Sequence, residues 1–217
     1  MKTVIRILTL ALVILICVPI VLAGLLTTSY APQTWQLISQ PFPLNWQAKS
    51  VHYQFPYHIS LQGVTTSSEQ IPYIEQIDLW FNPDIRRDNQ WILDSLLIDG
   101  VEAQHGLPEV QVPSNIWLHQ LALKNINYAD DRYTARNVNI QIQDPIWLTK
   151  TQTIPYGEIQ LSADQLYWKG EAFNQLLLDI DYKAQDSTLY GASFNWRGSE
   201  VSGPVSYTHL TLPTTRL

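Results

Sequence analysis

The sequence predicts a mainly β protein: one N-terminal transmembrane helix, then an antiparallel meander of short strands. Three observations carry this reading. Residues 7–26, ILTLALVILICVPIVLAGLL, contain no charged side chain. From Lys49 onward, apolar and polar residues alternate with a period of two in run after run. Two stretches, ILDSLLIDGVEA at 92–103 and WLHQLALKNINY at 117–128, repeat one apolar spacing while their polar letters differ.

The apolar run is long enough to span. A helix of about 20 residues rises about 30 Å, the thickness of a bilayer's hydrocarbon core. Lys2 and Arg6 precede it, and the next charged residue is Lys49. That asymmetry places residues 1–6 in the cytoplasm and the bulk of the chain across the membrane. Val21-Leu22-Ala23 would suit a signal cleavage site, but cleavable apolar regions are usually shorter, about 7–15 residues. A retained anchor over residues 7–26 is therefore expected. Cys17, the only cysteine, is preceded by Ile16 rather than a small residue, which argues against lipidation and leaves no disulfide.

Residues 27–48 form an uncharged connector. A short helix is expected around Gln33–Ser39, stopped by Pro41. Trp35 and Trp46 suit either the membrane–water boundary, where indole rings are favoured, or the core of a connector.

Residues 49–204 read as the β domain. Val51, Tyr53 and Phe55 alternate with polar neighbours, as do Tyr57, Ile59 and Leu61, and Ile77, Leu79 and Phe81, although Trp80 breaks the polar side of the last run. The clearest run is NVNIQIQ, with Val138, Ile140 and Ile142 on one face and Asn137, Asn139, Gln141 and Gln143 on the other. Leu176, Leu178, Ile180 and Tyr182 follow the same rule. Strict alternation marks a strand with one hidden face and one wet face. Turns are expected at Asn82-Pro83-Asp84, His105-Gly106-Leu107-Pro108, Ala129-Asp130-Asp131 and Asp186-Ser187.

The repeated pattern places Leu93 on Leu118, Leu96 on Leu121, Ile98 on Leu123, Gly100 on Asn125 and Val101 on Ile126. ISLQGV at 59–64 and LYWKGE at 166–171 carry weaker copies. Gly63, Gly100, Asn125 and Gly170 share one slot. Gly and Asn best accept a positive φ, so a bulge or bend is expected there in each unit.

Net charge is −6 at pH 7, so electrostatics supply no case for nucleic acid. His52 and His58 fall on polar strand faces, His105 in a turn, and no histidine has metal-binding spacing. Asp94, Asp99, Asp179 and Asp181 read as solvated strand faces. Arg86-Arg87 reads as a solvated loop, with a phosphate headgroup as its alternative partner. No catalytic residue, metal or cofactor is expected, and no protein partner is named by the sequence.

Residues 205–217, VSYTHLTLPTTRL, look like a translated sequencing adapter; one frame of CTGTCTCTTATACACATCT encodes Val-Ser-Tyr-Thr-His-Leu. They are set aside as an artefact. On that reading the chain is the N-terminal piece of a longer protein, and its tail docks poorly. The last real strand, around Leu189–Trp196, would then present an unpaired edge.

One anchor helix followed by ILDSLLIDGVEA and LHQLALKNINYADDRYTARNVNIQIQ resembles the AsmA-like family of bacterial envelope proteins. The resemblance implies an elongated, curled β-sheet with an apolar groove. It also implies anchoring in the bacterial inner membrane with a periplasmic bulk, and a role in outer-membrane biogenesis by holding or moving phospholipid. The groove candidates are Ile77, Leu79, Phe81, Leu96, Ile98, Leu121, Leu123, Val138, Ile140, Ile142, Leu176, Leu178 and Ile180. Alternation alone fits an open groove and a packed core equally; the packed core would suit a membrane-anchored assembly scaffold without a lipid ligand.

Overall fold

The structure is a computed structural model. It describes residues 17–18, 20–39, 46–69, 71–87, 90–104, 116–149, 152, 154–204 and 209–210. Most of the expected anchor lies outside these residues. Residues 20–25 are helical, and among the described residues no helix is long and apolar enough to cross a membrane.

One short helix, α1 (Ala31–Ser39), precedes the sheet. Its start is braced by Thr28, whose hydroxyl accepts the Tyr30 N–H at 3.2 Å. The strands are β1 (Gln47–Gln54), β2 (His58–Thr65), β3 (Tyr73–Arg87), β4 (Gln90–Gln104), β5 (Ile116–Ala129), β6 (Tyr133–Ile146), β7 (Tyr156–Trp168), β8 (Glu171–Tyr182), β9 (Ser187–Trp196), β10 (Ser199–Pro204) and β11 (His209–Leu210). They form one sheet in which β1 to β10 lie in chain order, and β11 pairs with β9. At about 4.8 Å per strand, ten strands extend about 45 Å across the sheet.

Nine of the ten strand pairs are antiparallel, as short links between successive strands predict; β4 and β5 are parallel. That exception corrects the expected all-antiparallel meander, and it explains the sequence repeat. Leu93 pairs with Leu118, Leu96 with Leu121, Ile98 with Leu123 and Val101 with Ile126. These are the matches the repeat itself makes. In-register parallel neighbours meet the same surroundings at each level, so the same side-chain type recurs there. Residues 105–115, including the expected turn at His105–Pro108, lie outside the described residues.

Other expectations change as well. Asn82-Pro83-Asp84 is no turn: β3 continues to Arg87, with register shifts on either side of Phe81, and Arg86 pairs with Trp91. A disrupted ladder is where a strand tolerates proline's missing N–H. Arg86-Arg87 is therefore strand, not loop. The expected bare edge at β9 is covered by β10 along Gly191–Trp196, and His209–Leu210 pair with Thr188 and Ser187. Two residues of the expected artefact thus join the sheet. Phe55 and Tyr57 fall in the β1–β2 turn and are exposed rather than inward.

Candidate functional site: one apolar face

The shared Gly/Asn slot takes the positive φ expected of it. Gly63 has φ 61°, Gly100 69° and Asn125 51°, and the same level of the sheet holds Asn137 at 49° and Gln175 at 52°. Gly170, at 84°, belongs instead to the β7–β8 turn with Lys169. Together the positive-φ residues make a crease that crosses most of the sheet. Through it the step between inward residues lengthens from two to three: Leu61 to Val64, Ile74 to Ile77, Ile98 to Val101, Leu123 to Ile126. Polar side chains bridge the crease on the opposite face. Asn125 Nδ2 donates to Asp99 Oδ1 at 2.6 Å, and Asn137 Nδ2 donates to Asp164 Oδ2 at 2.9 Å. Asn195 Nδ2 donates to Gln175 Oε1 at 2.6 Å.

On the inner side, strand pairing lines up an unbroken apolar row. Val51, Leu61, Ile77, Ile98, Leu123, Ile140, Leu161, Leu178 and Ala192 are successive cross-strand partners from β1 to β9, ending beside Gly203 of β10. A second row joins Leu79, Leu96, Leu121, Ile142, Ile159 and Ile180. At the crease, Val138 pairs with Ile126, and Leu176 with Ala163. Twelve of the thirteen groove candidates thus lie along these rows or at the crease. Phe81 sits beyond a register shift and is exposed.

Leu61, Val51, Ile159 and Leu161 belong to the rows but were not among the candidates. The alternation Ile159, Leu161, Ala163 in EIQLSA could have flagged the β7 pair. Ala192 and Gly203 carry no hydrophobic signal at all.

The face changes character along its length. Over β1–β4 it is a filled core: Leu26 and Trp35 pack on Leu61, Val64, Ile74 and Ile77, and Leu61, Val64 and Ile77 are 0% exposed. Trp35 and Trp46 are thus core rings of the connector, and their Nε1 atoms are buried without partners. Beyond β4 the two rows differ: Leu121, Ile142 and Ile159 are buried in a second core with Leu118, whereas Leu123, Ile140, Leu161 and Leu178 are only part-buried. The part-buried row runs along a concavity of about 610 Å³ that continues to Ala192 and Gly203. No second layer faces it among the described residues.

The wet face is less simple than alternation suggests. His58 is half-buried rather than surface, stacked on Trp80 at 4.6 Å and bonded to buried Asp78 at 3.0 Å. Asp181 is also buried and accepts from Lys183 Nζ at 2.5 Å. At the β9–β10 turn, hydrogen bonds from Arg197 and then Trp196 hold the Glu171 carboxyl down at about 2. Among the described residues no three His, Cys, Asp or Glu side chains gather as a metal site would.

A family model, the AsmA family, matches residues 1–209. The chain belongs to the AsmA family. The repeat that carried the resemblance is, in this AsmA-family chain, the parallel β4–β5 pair. The family's association with the bacterial envelope extends to it. No curated protein and no solved structure matches the chain significantly.

Proposed function

We propose that this AsmA-family protein is anchored in the bacterial inner membrane through residues 7–26, N-terminus in the cytoplasm, and that its periplasmic sheet holds or transfers phospholipid in outer-membrane biogenesis. The observation that carries the reading is the part-buried row Leu123, Ile140, Leu161 and Leu178 along a concavity with no covering layer among the described residues. Each acyl CH₂ removed from water contributes roughly 0.8 kcal/mol, so a chain lying along several strands gains several kcal/mol. The polar reverse face keeps the sheet wettable. No cofactor and no catalytic role belong to this proposal.

The full-length protein, extracted gently and analysed by mass spectrometry, should carry phospholipid. Ile140→Asp should abolish lipid photo-crosslinking from neighbouring row positions while the β-type circular dichroism persists. A second reading, a membrane-anchored assembly scaffold, draws on the filled β1–β4 end under Leu26 and Trp35. Protein free of lipid after gentle extraction, with a spectrum that collapses in Ile140→Asp, would favour the scaffold.

A further inference from the structure

The two long edges of the sheet differ in chemistry. One is formed by the β5–β6, β7–β8 and β9–β10 turns together with the start of β3. It exposes Tyr73, Tyr133, Tyr167, Trp168 and Trp196, all between 38% and 48% accessible. Lys169 Nζ lies 4.9 Å from the Trp168 ring centroid, and Arg197 Cζ 5.0 Å from that of Trp196. The opposite edge exposes Phe55, Phe81, Ile146, Leu148 and Ile154, which lack a polar rim, and one phenol, Tyr57.

We propose that the hairpin edge carrying Tyr133, Tyr167, Trp168 and Trp196 is a bilayer-contact surface that rests in the interfacial zone of a zwitterionic phospholipid membrane. Indole and phenol rings have an apolar body and a polar rim, and they concentrate where hydrocarbon meets headgroups. Exposed apolar groups gathered on one edge mark an interaction surface, whereas scattered ones do not. Charge decides which membrane. The tips hold Arg132, Lys169 and Arg197 against Asp130, Asp131, Glu171 and Glu200, so the signs nearly cancel. A surface so balanced gains little from anionic lipid and matches a headgroup layer that is itself neutral. The apolar row Leu166, Phe173 and Trp196 crosses β7, β8 and β9 just inside this edge, so contact there places a bilayer against the margin of the sheet. The proposal stands without the lipid-holding reading, since an empty sheet can touch a membrane.

The test uses the full chain with Cys17→Ser, reconstituted into phosphatidylcholine vesicles that contain a spin-labelled lipid. A fluorophore is placed on the hairpin edge through Asp131→Cys or on the opposite edge through Thr149→Cys. The label at 131 should be strongly quenched and the label at 149 should stay at background. Tyr167→Ser with Trp168→Ser should remove the quenching at 131, while Trp168→Tyr, which keeps an amphipathic ring, should retain it. Added salt should leave it unchanged. Background quenching at 131, equal quenching at both positions, or quenching that survives loss of both rings would overturn the proposal. So would loss of quenching in salt, which marks headgroup charge as the attraction, or its appearance only when peptidoglycan fragments are added.

Discussion

Gly100 on β4 lies beside Asn125 on β5, and the two take the same left-handed turn of backbone, φ 69° and 51°, at one level of the sheet. Parallel neighbours kept in register on both sides of a bend must bend together. If only one strand carried the extra step, every inward side chain beyond it would flip to the wet face. Asn125 reinforces the match by donating to Asp99, the residue before Gly100.

Gly100→Ala should therefore be costly. A Cβ there would lie 2.4 Å from Glu75 Cγ and 2.6 Å from Glu75 Cβ, in a conformation L-residues avoid. The left-handed φ alone costs about 1–2 kcal/mol. The denaturant midpoint should fall. Adding Glu75→Ala should relieve only the clash with Cγ and the carboxylate, since its Cβ remains, and should leave the strain. A Gly100→Ala protein as stable as the parent would remove the crease as a constraint on the fold.

What the sequence showed and hid follows from the same bend. Period-two runs located the strands, because one-sided burial writes itself into every second residue. The Gly/Asn slot located the kink, because few other residues accept that φ. Alternation is blind to strand direction, so Leu93 and Leu118 could not be recognised as parallel partners from their letters. Trp35 looks the same whether its ring meets lipid or core. Ala192 and Gly203 widen the concavity by being small, and smallness leaves no hydrophobic trace. Alternation puts His58 and Asp181 on the wet face because the pattern assigns faces, not the neighbours that cover them.

The filled and open parts of the inner face should answer mutation differently. Ile77 is fully covered, so Ile77→Ala should cost about 2–5 kcal/mol. Ile140 is part-buried beside the Leu121, Ile142 and Ile159 cluster, so truncating it uncovers less hidden surface; Ile140→Ala should cost clearly less than Ile77→Ala in lipid-free protein. Paired denaturation curves decide it. Equal losses at both sites would mean the row is covered along its whole length.

The β9–β10 turn should loosen in acid. Glu171 titrates at about 2 in the folded chain against an ordinary value of 4.5, because Arg197 and Trp196 donate to its carboxylate. A depressed folded value means the contribution is complete above about 4.5 and is lost as pH falls toward 2. The Trp196 indole N–H resonance should shift through that window, and Glu171→Gln should flatten the response. A Trp196 signal unchanged between those limits would show the contact to be absent in solution.

Trp35 offers the sharpest separation of ring from polar handle. It is 6% exposed, seated with Leu26 over the β1–β4 core, and its Nε1 has no partner. An aromatic deleted from such a site leaves a large void, so Trp35→Ala should cost about 3–5 kcal/mol. Trp35→Phe loses volume but no hydrogen bond, and it sheds a buried donor that is itself unfavourable. It should cost well under half as much as the alanine change. Both are read from denaturant midpoints of the full chain in detergent, with α1 amide protection as the local report. If phenylalanine were as damaging as alanine, the indole N–H would have to be engaged, and α1 would be held by a polar contact rather than by packing alone.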